Sequence, residues 1–256
     1  MNKPNPIDRR RFLGGALQAA GLLALAGCDN LSRSDWFPSV LSYTERLTKK
    51  AQRALSPRRA MAREYTEADR SPVFPANGNS DPNDAGYRSM AGSGFADWKL
   101  EIGGLVENPA SFSLAELRAL PSRTQTTRHD CVEGWSAIAT WTGVKLGDLL
   151  ERVRPKPEAR FIVFYCADPD EDGEKYYESI DFDEAYHPQT ILAYGMNGQT
   201  LPVAHGAPIR LRVERQLGYK QAKYVMKIEA VESLADIGGG NGGYWEDQGY
   251  EWYAGI

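Results

Sequence analysis

Arg123-Thr124-Gln125-Thr126-Thr127-Arg128-His129-Asp130-Cys131-Val132-Glu133-Gly134-Trp135-Ser136 runs through the middle of the chain, and the rest of the sequence is read outward from it. Arg123 to Arg128 reads as extended, which delivers Cys131 just past a strand end, where sites are commonly assembled. A thiolate in such a setting is a candidate soft-metal ligand. Taken alone, the same thiol could be a nucleophile, a zinc ligand or a small buried hydrophobe.

On the N-terminal side, Trp98-Lys99-Leu100-Glu101-Ile102 alternates as a strand leading into Gly103-Gly104. Ser113-Leu114-Ala115-Glu116 is a capping box: the Ser113 hydroxyl can accept from an amide near Glu116 while the Glu116 carboxylate reaches back. The helix it starts should run to about Leu120 and stop at Pro121. On the C-terminal side, a short helix is expected over Leu146 to Val153, a buried strand over Arg160 to Cys166, and a helical turn over Asp183 to His187. Ile209, Leu211 and Val213 alternate with Arg210, Arg212 and Glu214. At strand period this pins the apolar face on the core and presents guanidinium groups to a cleft. Ala222 to Ser233 is a further strand candidate, with Tyr224, Met226 and Ile228 on one face. Short strands, frequent Gly and Pro breaks and few long helices define an α+β class, mixed and mainly β, without a regular βαβ rhythm.

The beginning of the chain has a different character. Arg9-Arg10-Arg11-Phe12-Leu13 opens an apolar run that ends in Leu25-Ala26-Gly27-Cys28. The paired arginines read as a twin-arginine export signal, and the run's end resembles a lipoprotein box with Cys28 as the lipidated first mature residue. An ordinary cleaved signal with an incidental cysteine is the plainer reading. The expected organisation is a signal over residues 1–27, a membrane tether with a helical segment over 28–70, and one domain over 71–256. Such a protein would lie on the periplasmic side, lipid-anchored to the cytoplasmic membrane. In the tether, Leu41, Leu47, Ala51, Ala54 and Leu55 recur at helical spacing until Pro57 interrupts.

Charge and cysteine usage narrow the function. The whole chain carries −4. Residues 1–27 hold Lys3, Arg9, Arg10 and Arg11 against Asp8, a surplus of three positive charges, so the remainder carries about −7. Nucleic acid is excluded as a natural partner for such a surface. Three cysteines, one of them Cys28, leave Cys131 and Cys166 and no disulfide framework. A twin-arginine route carries folded proteins, which favours a cofactor protein over a plain secreted hydrolase.

Three blocks in order, Cys131-Val132-Glu133-Gly134-Trp135-Ser136, His205-Gly206-Ala207-Pro208-Ile209-Arg210 and Gly218-Tyr219-Lys220-Gln221-Ala222-Lys223, resemble the molybdopterin-dependent oxidoreductases of the sulfite oxidase superfamily. The resemblance covers about Pro72 to Glu232 and is nearest to the branch containing bacterial periplasmic methionine sulfoxide reductases. It implies a sulfite-oxidase-type fold, a Mo-molybdopterin cofactor and Cys131 as the protein's thiolate to molybdenum. That metal, already bound by two dithiolene sulfurs, takes a further sulfur donor that tunes its potential. It also implies that Arg210 meets the cofactor phosphate with its planar fork, that Lys223 and the backbone of Gln221 and Ala222 approach the cofactor, and that His205 stands where the branch has asparagine. Asn77, Gly78 and Asn79 correspond to an asparagine-containing loop near the cofactor, and Cys166 to a threonine. The chain shows no counterpart of the superfamily's C-terminal immunoglobulin-like dimerisation domain, nor of a haem domain, so a monomer and an external membrane or periplasmic electron-transfer partner, such as a b-type cytochrome, are expected.

The remaining features carry paired readings. Arg128 and His129 could attract an oxo-bearing small substrate, or be an exposed charge and a hydrogen-bonded histidine. His187, before Pro188, reads as a turn cap. The acidic run Asp168, Asp170, Glu171, Asp172 and Glu174 lacks calcium-loop spacing and reads as a solvated loop. The aromatic-rich end, Tyr244, Trp245, Tyr250, Trp252 and Tyr253, is expected to fold back as a lid over the core or pocket rim. The competing enzyme class is an exported cysteine hydrolase or transpeptidase, with Cys131 as nucleophile and His129 or His205 as base. A lipid-anchored binding protein without turnover is the non-enzymatic reading.

Overall fold

The computed structural model describes residues 36–55, 57 and 59–256. The export motif at Arg9–Arg11 and the lipidation candidate Cys28 lie outside the described residues. The chain divides into two compact units, 1–55 and 56–256. In the first, Phe37–Leu55 forms helix α1, in line with the helical spacing read there. No described helix is long and apolar enough to cross a membrane.

The larger unit holds two five-stranded sheets. One has the order β2-β1-β10-β5-β6, from β1 (Lys99–Gly104), β2 (Ala110–Ser113), β5 (Phe161–Pro169), β6 (Lys175–Asp181) and β10 (Val225–Val231). The other runs β3-β4-β7-β8, from β3 (Ser122–Asp130), β4 (Ser136–Lys145), β7 (Ile191–Met196) and β8 (Gln199–Thr200), with β9 (Arg210–Arg212) also paired to β7. Among the described strands, only β1 and β10 pair in parallel and every other pairing is antiparallel. The mixed, mainly β class expected from sequence is what the fold shows.

Local chemistry explains the short helices. Helix α2 (Ala85–Gly92) is capped by Asp84, whose carboxylate accepts from the Tyr87 amide at 2.8 Å. Helix α3 (Leu114–Ala119) begins at the anticipated box: the Glu116 amide donates to Ser113 Oγ at 3.2 Å, and the Ser113 amide to Glu116 at 2.7 Å. Helix α4 (Leu146–Val153) buries Leu146, Leu149, Leu150 and Val153, one stripe at helical period. Helix α5 (Phe182–Ala185) is the single turn expected near Asp183. The main core joins that stripe to Ile162 and Phe164 of β5, Leu211 of β9 and Ile228 of β10. A smaller core gathers Trp141, Ile191, Ala193 and Met196 under the second sheet.

Three departures from the sequence reading have physical causes. Residues 57–70, read as the end of a tether, lie on the larger unit: Glu64 bridges Thr127, and the Tyr65 amide donates to Thr126 O at 2.8 Å. Strand β10 begins at Val225 because Tyr224 has φ +55°, a left-handed backbone that cannot continue a strand. A bulge between Val225 and Lys227 then resets the phase, so Val225, Ile228 and Ala230 are buried while Met226 is only half-buried. Finally, β9 is buried on both sides, its arginines included.

Candidate active site

The site is a cavity of about 830 Å³ whose wall includes Asn77, Cys131, Glu133, Asp168, Gln221 and Lys223, a volume in the range of cofactor pockets. Cys131 is the first residue of the turn joining β3 to β4. Its amide donates to Trp135 O at 2.9 Å, and the Gly134 amide returns to Cys131 O at 3.1 Å. Gly134 has φ +89°, the backbone that lets the chain reverse within four residues. Asp130 ties the hairpin base together by accepting from Ser136 Oγ and from Arg128 Nε. The nine-residue pairing of β3 with β4 makes this a rigid mount for a thiol.

Glu133, inside the Cys131 block, ties two parts of the site together. It accepts from the Gly78 amide at 3.2 Å and from Trp135 Nε1 at 2.9 Å, so it joins the Cys131 turn to the Asn77–Asn79 loop. The Trp135 bond first, with the Gly78 amide and the Cys131 thiol adding to it, holds this carboxyl below the usual range. Burial pushes the Cys131 thiol upward.

The Asn77–Asn79 loop is fixed from the other side by Lys223. Its ammonium donates to Asn77 O at 2.6 Å, to Asn79 O and, at 3.4 Å, to Ala204 O. Tyr224 adds a hydroxyl bond to Asn79 O at 2.9 Å. Gly206 has φ +106°, and a Cβ there would meet Lys223 Cβ at 2.8 Å, so glycine lets the His205 block lie against the lysine stem. Among the described residues no carboxylate pairs with Lys223; burial, then Arg210, pushes its pKa down to about 7.

Arg210 is buried in the same way. Nη1 donates to His205 O at 3.1 Å, Nη2 reaches Gln221 O at 3.5 Å, and the guanidinium lies over Trp141 at 5.0 Å. Nε has no partner, no described carboxylate pairs with it, and burial followed by Arg212 lowers its pKa to about 9. Asn77 Oδ1, His205 Nδ1 and His129 Nε2 are further buried polar atoms without a protein partner. Buried polar groups are normally satisfied. Lys223 and Asn77 line the cavity, whereas Arg210 and His129 stand behind its lining residue Gln221, so a lining cation with no acid partner beside an orphan oxygen fits a polar, anionic ligand. A phosphorylated pterin is such a group.

Not every expected residue meets the cavity: Arg210 and His205, expected at the cofactor, do not line it. Arg128 is half exposed and pairs with Asp130 at 2.9 Å, so its charge is turned to the surface rather than the cavity. His129 is fully buried. Arg212 Nη1 donates to its Nδ1 at 2.9 Å, shorter than the 3.3 Å to Gln221 Oε1, which makes Nδ1 the acceptor and puts the proton on Nε2. Nε2 sits behind Gly218, where an added Cβ would meet it at 2.4 Å. Burial, Arg212 and Arg210 hold this imidazole neutral. Cys166 lies in the main core, paired with Val225 across β5 and β10, and does not line the cavity. Ala222 contributes its carbonyl to the Leu211 amide at 2.8 Å. His187 receives the Gln189 amide at 3.3 Å, the turn role expected of it.

Phe74, read only as part of a turn-rich stretch, is the centre of an aromatic box. Its ring lies 5.4–5.7 Å from those of His129, Trp135, Trp141 and His205. Asp168, read as part of a solvated loop, is buried in the cavity wall with Oδ1 unpartnered, and burial raises its carboxyl to about 7. Phe74 stands outside regular structure, and Asp168 is the penultimate residue of β5, at the head of the acidic run, so periodicity points to neither.

The arrangement does not make Cys131 a hydrolase nucleophile. Among the described residues no histidine hydrogen-bonds its sulfur; His129 is held by Arg212, and His205 packs against Phe74. A cysteine nucleophile needs a base or cation that favours its thiolate.

Fold and site together define a cofactor-binding redox domain. The description "oxidoreductase molybdopterin binding domain" matches residues 89–236, and the chain belongs to that family of molybdopterin-dependent oxidoreductases. It is 38% identical over 247 residues to an Azospira oryzae protein that carries the provisional name protein-methionine-sulfoxide reductase subunit YedZ1, covering 96% of this chain and 87% of that one. It is 40% identical over 152 residues to the protein-methionine-sulfoxide reductase catalytic subunit MsrP of Xanthomonas axonopodis pv. citri, covering 56% and 47% of the two chains. The Campylobacter jejuni MsrP is 37% identical over 144 residues, covering 52% and 48%. The match thus spans about half the length of these MsrP relatives. Among solved structures, the sulfane dehydrogenase SoxCD of Paracoccus pantotrophus aligns with a TM-score of 0.48 and 26% identity, over 54% of this chain and 39% of that one. The protein is a molybdopterin-dependent enzyme, and its cofactor is Mo-molybdopterin.

Proposed function

We propose that the protein reduces sulfoxides, with methionine sulfoxide the leading substrate, at a molybdenum held by Cys131. The observation that carries this reading is the placement of Cys131 on a rigid turn in the wall of a cavity that Lys223, a cation with no acid partner among the described residues, also lines. The names of the relatives supply the substrate class. Bound there, the molybdenum cofactor supplies two-electron chemistry at oxygen. The net reaction takes a sulfoxide, two electrons and two protons to a thioether and water.

The chain's own residues then have distinct tasks. Cys131 would give its sulfur to the metal, Lys223 would meet the anionic part of the cofactor from the cavity wall, and Arg210 would add its charge from behind Gln221. Gln221 and the Asn77–Asn79 loop, which line the cavity, would supply directed donors and acceptors at its polar edges. Glu133 fixes the loop to the thiol-bearing turn. Asp168, which keeps its proton to about pH 7 in the wall, is a proton source for the departing oxygen. Electrons come from a separate redox protein, a role consistent with the word "subunit" in the relatives' names. We further infer, from the arginine pair and Cys28, that the protein is exported and lipid-anchored on the periplasmic side, beside a membrane haem partner.

The test is protein purified with its export route intact, assayed for molybdenum and for methionine sulfoxide reduction by a reduced viologen dye. Stoichiometric molybdenum with turnover is expected. Metal-free protein that still turns over, or loaded protein inert to every sulfoxide, contradicts the reading.

A further inference from the structure

The mouth of the cavity has a chemistry of its own. Of the large apolar side chains exposed on the described part of the larger unit, three line this opening: Val132, Trp245 and Tyr250. Trp245 and Tyr250 face one another at 5.3 Å and 30°, and Tyr244 meets Trp245 edge-on at 5.4 Å. The acidic run forms an adjoining wall: Asp170, Glu171 and Glu174 occupy the tight turn between β5 and β6 and line the same cavity.

The two walls are built as a unit. Asp170 accepts from the Asp172 and Glu174 amides, both at 2.9 Å, and from the Tyr244 hydroxyl at 2.7 Å. Those bonds, the Tyr244 one first, hold Asp170 below the usual carboxylate range. Tyr244 and Trp245 stand on helix α6 (Tyr244–Asp247), so the bond locks the acidic turn to the aromatic wall. Glu171 and Glu174 have no ion pair among the described residues. Nearby cations are engaged elsewhere: Lys175 pairs with Asp84 at 3.0 Å, Arg88 with Asp81 at 3.1 Å, and Lys223 is held on carbonyls deeper in. Further in, Asp168 adds a buried carboxyl with a partnerless oxygen on the same lining.

A substrate entering this mouth meets aromatic faces and fixed negative charge together. Aromatic faces and carboxylates both attract organic cations, and an anion such as sulfite would be repelled. We propose that the mouth is a specificity subsite for basic peptides, in which the sulfoxide to be reduced is flanked by lysine or arginine. The exposed apolar side chains Val132, Trp245 and Tyr250 take the methionyl side chain and the acidic turn takes its cationic neighbours. This rests on the sulfoxide reading given above.

The experiment separates the two. Binding of Lys-Lys-Met(O)-Lys-Lys and Glu-Glu-Met(O)-Glu-Glu, with blocked ends, is measured by calorimetry on oxidised holoenzyme without a donor, and reduction of both is measured separately with a reduced dye. The lysine peptide should bind about tenfold or more tighter at low salt, with the ratio shrinking toward one at 0.5 M salt. The double variant Glu171→Gln, Glu174→Gln should compress the ratio severalfold, and Trp245→Ala should weaken both peptides. Equal affinity in the parent protein, or a ratio unmoved in the double variant, overturns the subsite. Charge-selective binding without reduction would leave the subsite standing and remove the sulfoxide reading; reduction without charge preference would do the reverse.

Discussion

Arg210 and Arg212 leave one strand two residues apart, are equally buried and lie over the same Trp141 ring, yet beyond that ring they contact different regions of the molecule. Arg212 lies over Trp141 at 4.4 Å, pairs with Glu214 through two bonds of 2.6 and 3.0 Å, and donates to His129. Arg210 has carbonyls, a ring face and an orphan Nε. The next block repeats the contrast. Lys220 is held by Glu178 and Glu246, whereas Lys223, three residues on, is held by carbonyl oxygens only. Burying a charge is costly unless it is paired. A cation with its acid beside it is scaffold, and a cation lacking one is organised for a ligand that brings the negative charge.

The contrast can be broken by substitution. The largest effect is expected at Cys131, the residue both regions serve: Cys131→Ala should lower sulfoxide turnover about a hundredfold or more, measured with a dye donor. Next come the scaffold cations. Arg212→Met or Lys220→Met strands buried carboxylates and should cost about 3–5 kcal/mol in denaturant unfolding. Arg210→Met should leave the cofactor-free protein as stable or more so, while cofactor retention after gel filtration falls about 10–100-fold. Equal destabilisation by Arg210→Met and Arg212→Met would erase the distinction.

The smallest effect is a pH dependence. Lys223 has a folded pKa of about 7, below its unfolded value of about 10.4. Between those values the unfolded chain binds more protons, so this group makes the cofactor-free protein more stable as pH rises from 7 to 10. Thermal melts should show that rise by at most about 1.4 kcal/mol per pH unit, and Lys223→Met should flatten it. Cofactor binding should weaken over the same range, because the anion favours the protonated lysine.

What the sequence made legible was local or periodic. The Ser113–Glu116 box, the α4 stripe and the placement of Cys131 after an extended run need only neighbours within a few residues. The Arg210–Arg212 distinction was not legible, because both arginines share one strand phase and Glu214 alone could not say which it pairs with. Asp168 and Glu171 look like one solvated loop in sequence, since nothing local says that a hairpin turn closes over a cavity. Helix α6 brings its aromatic wall from about 75 residues away. The Tyr224–Met226–Ile228 face failed because a left-handed residue and a bulge break strict alternation. Cys166 shows the same limit from the other side: a cysteine on a buried strand looks alike in sequence whether it faces a core or a ligand.

The central claim is that Cys131 is the sulfur the protein gives to molybdenum, and X-ray absorption at the molybdenum edge tests it most directly. Loaded parent protein should show one more sulfur neighbour than loaded Cys131→Ser protein. An unchanged sulfur count in the variant would contradict the account.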